Sequence, residues 1–119
     1  MTPFIANIIK QGCPTVDIGA PFIEIVQTLA KAHTGTLVVV DKNRKVMGIL
    51  SERDIVRHLS RQKAVESCTA KNLMTKNIIS ADSKVTSSGL MALMVQNNIR
   101  HVPIINDGEL LGLVSITDV

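Results

Sequence analysis

Val46-Met47-Gly48-Ile49-Leu50-Ser51-Glu52-Arg53-Asp54-Ile55 and Leu110-Leu111-Gly112-Leu113-Val114-Ser115-Ile116-Thr117-Asp118-Val119 are one pattern written twice. Gly, Ser and Asp coincide, aliphatic residues face aliphatic residues, and Asp54 and Asp118 stand 64 residues apart. Self-similarity at a fixed period marks a repeated supersecondary unit, so the chain is read as two tandem copies. The same shift lays Val38-Val39-Val40 on Val102-Pro103-Ile104, and further upstream the copies align with one residue of slippage.

Working outward, each copy predicts the same series of elements. In the first, an extended Thr15-Val16 precedes Pro21, a suitable first helical residue, and Phe22, Ile25, Val26, Leu29 and Ala30 recur at the spacing of an amphipathic helix. In the second, an extended Ile78-Ile79-Ser80 leads to Asp82 and Ser83 as helix starts, with Val85, Leu90, Leu93 and Met94 as the apolar stripe. Two runs rich in β-branched residues follow in each copy, Leu37–Val40 and Val46–Leu50, then Val102–Ile105 and Leu110–Val114, with Asn106-Asp107-Gly108 as a turn. The first copy closes with a helix from about Ser51 to Leu59, with Ile55, Val56 and Leu59 inward and Arg53, Arg57 and Arg61 outward. The unit is β-α-β-β-α. The second copy stops at Val119, so its closing helix is expected to be missing and the apolar surface beneath it uncovered.

Composition narrows the function. At 119 residues the chain holds one domain's worth of core, and 45% hydrophobic against 19% charged residues excludes disorder. The core must be aliphatic, because Phe4 and Phe22 are the only aromatic residues. That scarcity and a net charge of only +3 disfavour nucleic acid, which calls for basic patches and stacking platforms. The longest aliphatic run, Leu37 to Val40, is far short of a membrane span, and no signal-peptide core precedes it, which places the protein in the cytoplasm. Cys13 and Cys68 lie in no CxxC or Cys/His cluster and are expected as thiols in a reducing compartment.

The repeated polar residues carry the chemistry. Ser51/Asp54 and Ser115/Asp118 fit a capping box at a helix start; the same geometry also serves a ligand, since free helical N–H groups hold anions and a carboxylate accepts sugar hydroxyls. Both roles are compatible. Gly48 and Gly112 inside apolar strands imply a bend or a close approach, by a ligand or by a neighbouring strand. Arg100 and His101 set cationic groups before Pro103, which faces either an unpaired edge or a ligand. No phosphate loop, dinucleotide fingerprint, zinc-protease helix or nucleophile elbow is present, and His33, His58 and His101 lie in no metal spacing. Nothing reads as a catalytic set.

Two copies of extended segment, helix, strand pair and helix, with G-h-h-S-x-x-D closing each strand pair and Arg100-His101-Val102-Pro103 opening the second, resemble the CBS domain pair, or Bateman module. Gly48–Arg57 and Arg100–Ile104 are especially similar to small stand-alone bacterial CBS-pair proteins without a catalytic domain. The resemblance implies an α+β fold of the CBS type: tandem motifs at 8–62 and 70–119, packed through their sheets with pseudo-two-fold symmetry and leaving two clefts. It implies a non-enzymatic regulatory module for adenosine-containing ligands, AMP, ADP, ATP, S-adenosylmethionine or NAD(H), bound as regulatory ligand rather than cofactor. Asp54 and Asp118 would hold ribose hydroxyls, and Ser51, Ser115 and Thr117 would meet ribose or phosphate. Arg53 would join the nucleotide-binding residues of the first copy, while Arg100 and His101 would counter phosphate charge. Val102-Pro103, Thr15-Val16 and Ile79-Ser80 would frame the adenine. The first copy has Thr36-Leu37-Val38-Val39 where the second has the basic pair and proline, so its cleft would take a less charged ligand or stay empty. A homodimer is expected, with Leu73, Met74, Met91 and Met94 as contacts. The rival reading is a dimerising interaction scaffold with vestigial clefts.

Overall fold

The computed structural model describes residues 3–32, 34–61 and 64–118. In chain order the elements are α1 (Pro3–Gln11), β1 (Thr15–Asp17), α2 (Phe22–Lys31), β2 (Thr36–Val40), β3 (Val46–Ser51), α3 (Glu52–Ser60), α4 (Ala70–Leu73), α5 (Ser87–Asn97), β4 (His101–Asn106) and β5 (Glu109–Ser115), followed by a 3-10 turn at Ile116–Asp118. They form two compact units. One is Pro14–Ile78; the other joins the segment ending at Cys13 to the chain from Ile79 onward.

In the first unit β1 runs parallel to β2 and β3 antiparallel to it, giving the order β1-β2-β3. Leu37, Val39 and Leu50 of the sheet meet Ile25 and Leu29 of α2 and Ala70 and Leu73 of α4 in an aliphatic core. Pro21 proves to be the N-cap of α2 rather than its first residue: its ψ of 161° is extended, and its carbonyl accepts the first helical N–H, from Ile25, at 3.1 Å. The four-residue α4 is anchored by tertiary acceptors, since the Ala70 and Lys71 N–H groups donate to the carbonyls of Ala20 and Ile18 at 3.0 Å each. These bonds satisfy groups that a helix start leaves unpaired. Helix α3 departs from expectation. None of its residues is buried, and Val56 and Leu59, expected inward, are 64% and 51% exposed; only Ile55 packs against the core.

The second unit packs α1 and α5 on the β4–β5 hairpin, with Ile5, Ile8, Leu90, Met94, Val102, Ile104 and Val114 as its core. Helix α1 was not foreseen, although Phe4, Ile5, Ile8 and Ile9 carry the helical spacing. Helix α5 starts later than Asp82 or Ser83: its N-cap is Thr86, whose hydroxyl oxygen accepts from the Gly89 N–H at 3.1 Å. Asp82 makes a turn instead, accepting from the Lys84 and Val85 N–H groups. Asp107 and Gly108, at φ 52° and 82°, form the tight two-residue connection that a hairpin favours. Leu73 and Met94 are spent in the two cores and are lost as dimer contacts; Met91 remains exposed.

The two hairpins match in detail, and the match corrects the alignment. Each has a register shift at the same place, between Val39 and Val40 and between Ile104 and Ile105. Gly48 pairs with Val39 and Gly112 with Ile104; Ser51 pairs with Thr36 and Ser115 with His101. The later strands therefore correspond at a shift of 64 and the earlier ones at 65. The slippage sits in the β2–β3 turn, not upstream, and Pro103 is the counterpart of Val38.

Both repeated glycines answer to neighbouring chain segments. A Cβ on Gly48 would stand 2.7 Å from the Thr75 carbonyl and 2.8 Å from Met74 Sδ, because Thr75 bridges Ile49 with bonds of 3.1 and 2.8 Å. A Cβ on Gly112 would stand 3.0 Å from Ile8 Cγ2. In each unit the glycine lets a segment of the chain lie against the hairpin.

Candidate functional site

In the first unit the expected residues gather where β3 runs into α3. Thr36 and Ser51 close that end of the hairpin, and on the other side of β2 Thr15 lies opposite Val38 and Val16 opposite Val39. Ser51 is the extended N-cap of α3 and Asp54 its third residue, and together they form a capping box. The Ser51 N–H donates to Asp54 Oδ2 at 2.9 Å and the Ser51 hydroxyl to the same oxygen at 3.2 Å. The other carboxylate oxygen, Oδ1, stands 4.0 Å from Nη1 of Arg57. That guanidinium is largely exposed, so the contact is weak. Asp54 is thus a cap through one oxygen and retains acceptor capacity on the other. Arg53 is exposed in the first turn of the same helix.

In the second unit Arg100, His101, Ser115 and Thr117 are brought together. His101 pairs with Ser115, the Ile116 N–H donates to the Arg100 carbonyl at 2.8 Å, and the Ser115 and Thr117 hydroxyls share a 2.7 Å hydrogen bond. Ser115 is buried, Arg100 and Thr117 are exposed, and His101 is half-buried. Ser115 does not open an α-helix here; Ile116–Asp118 is a 3-10 turn. The Asp118 side chain lies outside the described residues.

Val102 and Pro103 are buried in β4, opposite Val114 and Leu113. Pro103 stands in β4 where the strand edge facing the upstream segment lacks a donor. In the first unit the equivalent Val38 donates its N–H to the Pro14 carbonyl at 3.1 Å, and proline has no such donor. The upstream segment accordingly bridges β4, backbone to backbone, at Ala81, which donates to Pro103 and accepts from Ile105. Ile79 and Ser80, expected as an extended frame, are not in a strand. With Ala81 opposite Ile104 where Val16 is opposite Val39, the counterpart of Thr15-Val16 is Ser80-Ala81.

The corrected register shows two residues that sequence reasoning missed. Gly35, at φ 67°, is the counterpart of Arg100, and its carbonyl accepts from the Glu52 N–H at 2.9 Å as Arg100's does from Ile116. The Glu52 carboxylate lies over Gly35, within 2.9 Å of where a Cβ would stand. One unit presents a carboxylate at this corner, the other a guanidinium. Each signal was in the sequence, but a uniform shift of 64 sets Arg100 against Thr36 and hides the pairing.

Among the described residues, no group of three or more His, Cys, Asp or Glu side chains is placed to hold a metal ion, and no helix is long and apolar enough to cross a membrane.

Comparison with known proteins gives a consistent result. The family model described as CBS domain matches residues 5–61 and 70–119. A 17.7 kDa protein of Acidianus ambivalens is 38% identical over 98 residues, 80% of this chain and 57% of its own length. The chain spans between 36% and 57% of the first few curated relatives it matches. Among solved structures, the CBS domain pair of protein MJ0100, in complex with 5′-methylthioadenosine and S-adenosyl-L-methionine, superimposes with TM-score 0.83 at 25% identity, covering 96% of this chain and 90% of that one. A CBS domain protein of Pyrobaculum aerophilum complexed with AMP gives TM-score 0.79 at 27% identity, covering 89% and 82%.

Proposed function

This chain belongs to the CBS domain family, and from that premise we propose that it is a cytoplasmic, non-enzymatic regulatory module whose two motifs bind an adenosine-containing ligand and pass occupancy to a protein partner or a dimer interface. The observation that carries this reading is the convergence of Arg100, His101, Ser115 and Thr117 at one end of the β4–β5 hairpin, in a chain whose structural relatives hold AMP and S-adenosylmethionine. An exposed guanidinium and a half-buried imidazole suit a phosphate, and hydroxyls suit a ribose or phosphate. Asp54 takes the ribose end of the first site: a carboxylate repels phosphate but accepts hydroxyl donors, at about 1.5–3 kcal/mol per charged hydrogen bond. Thr15, Val16, Ser51 and Arg53 complete that site; Ser80, Val102 and Pro103 frame the second, together with Asp118, and Ile79 precedes it.

The test is a thermal-shift panel of AMP, ADP, ATP, S-adenosylmethionine and NADH. A ligand at ~100 times its Kd stabilises the folded state by about 2.7 kcal/mol, so at least one should raise the melting temperature. Asp54→Ala should then weaken the first site about tenfold, at no more than the ~1 kcal/mol cost of a lost cap. Flat melts across the panel leave the dimerising scaffold as the better reading.

A further inference from the structure

We propose that Cys68 is a reactive thiol, with His58 as its proton acceptor, and that it takes small disulfides to form a reversible mixed disulfide. The two residues are ten apart in sequence and meet in the first unit: Cys68 Sγ is 3.3 Å from His58 Nε2. The Ala64 carbonyl oxygen closes a triangle: it accepts from the Cys68 thiol at 3.2 Å and lies 3.0 Å from Nε2. Helix α3 supplies the imidazole from its last turn. Cys68 is held by its own N–H, which donates to the Val65 carbonyl at 3.1 Å, and by the start of α4 immediately after it. From α2 the Phe22 ring lies with its centroid 6.4 Å from that of His58. Both groups are half-buried.

This arrangement suits proton transfer. A thiol is a nucleophile only as thiolate, and an adjacent imidazole supplies the base. When Nε2 takes the thiol proton, the resulting N–H donates to the Ala64 carbonyl, and the imidazolium stands beside the sulfur it has ionised. The thiolate then attacks one sulfur of the disulfide; its S–S bond breaks, the Cys68–sulfur bond forms, and the departing thiolate takes the proton back from His58. Cys68 sulfur is oxidised and the leaving sulfur reduced, so the incoming disulfide supplies the whole oxidising equivalent. The adduct stands at the N-terminal edge of α4, beside Thr69, which bridges Pro21 at the start of α2, so it loads the contact between two elements of that unit's core.

The test follows Cys68 by mass spectrometry in the full-length Cys13→Ser chain, using iodoacetamide for rate and oxidised glutathione for the adduct. At neutral pH the folded chain should alkylate at least about tenfold faster than the same chain unfolded in urea, and should acquire one glutathionyl group that dithiothreitol removes. His58→Gln should bring the rate down to the unfolded value without moving the melting temperature by more than a few degrees, and free imidazole should restore part of the rate to His58→Gly. A folded rate no higher than the unfolded one overturns the proposal before any histidine variant is needed; so does an unchanged rate in folded His58→Gln.

Discussion

The two hairpins share a bulge, a glycine opposite it and a serine at the open end, yet one carries a three-residue parallel strand on its free side and the other a single bridging residue. The difference traces to one position. Val38 has an N–H and donates it to Pro14; its counterpart Pro103 has none. With the ladder cut, the Ser83 N–H, which in the first unit corresponds to Ile18 donating to Val40, turns to Asn106 Oδ1 at 3.2 Å, and Asn106 Nδ2 donates to the Ser83 hydroxyl at 2.9 Å. A side chain replaces a backbone acceptor. The proline in the second unit therefore leaves the segment beside it with a single bridge, whereas the first unit keeps a strand and presents Glu52 where the second presents Arg100. Repetition of sequence preserved the scaffold and let the two edges diverge.

The largest expected effect separates the two glycines. Gly48→Ala drives a Cβ into the Thr75 carbonyl, on a residue held by two backbone hydrogen bonds, whereas Gly112→Ala meets the Ile8 Cγ2 methyl at 3.0 Å, with the Ile8 backbone no nearer than 3.5 Å. Overpacking costs about 1–3 kcal/mol and more where the neighbour cannot move, so urea unfolding should show a loss of about 3 kcal/mol for Gly48→Ala and about 1 kcal/mol for Gly112→Ala. Equal losses would break the view that a backbone segment covers one hairpin and a helix side chain the other.

Next comes the edge itself. Val38→Pro removes the bond to Pro14 and should cost about 2 kcal/mol, in line with a lost donor and an orphaned carbonyl. Pro103→Val should change stability little, but its new amide should gain protection in hydrogen exchange as the upstream segment closes on β4. An amide at 103 that exchanges as fast as a surface loop would show that something other than proline keeps Ile79 and Ser80 off the sheet.

The smallest effect concerns charge at the matched corner. Arg100→Ala should weaken AMP about tenfold, or ~1.4 kcal/mol, and adenosine much less, with the loss shrinking at high salt as an exposed cation is screened. Glu52→Gln should move the other site the opposite way, improving AMP about twofold by calorimetry. The same loss for AMP and adenosine in Arg100→Ala would make that residue a shaper of the loop and dissolve the electrostatic contrast.

Much of this was legible without coordinates. Strands and turns were clear because β-branched runs bounded by Asp, Asn and Gly leave few alternatives, and the capping box of Ser51 and Asp54 was clear because its partners are three residues apart. What failed was non-local. Val56 and Leu59 lie on the apolar side of a helical repeat, but whether that side is covered depends on what packs there. Thr86 displaced Asp82 as the N-cap because Asp82's acceptors were taken by a turn.

The repeat, the β-α-β-β-α order of the first copy and the identity of the polar residues were determined by the sequence itself, because periodicity and local hydrogen bonding act within a few residues. Tertiary structure alone decided the register between the copies, the segments that close on Gly48 and Gly112, and the carboxylate over Gly35, because a one-residue slip in a turn costs little locally. Such a slip shows only when both strands must align their hydrogen bonds across the sheet.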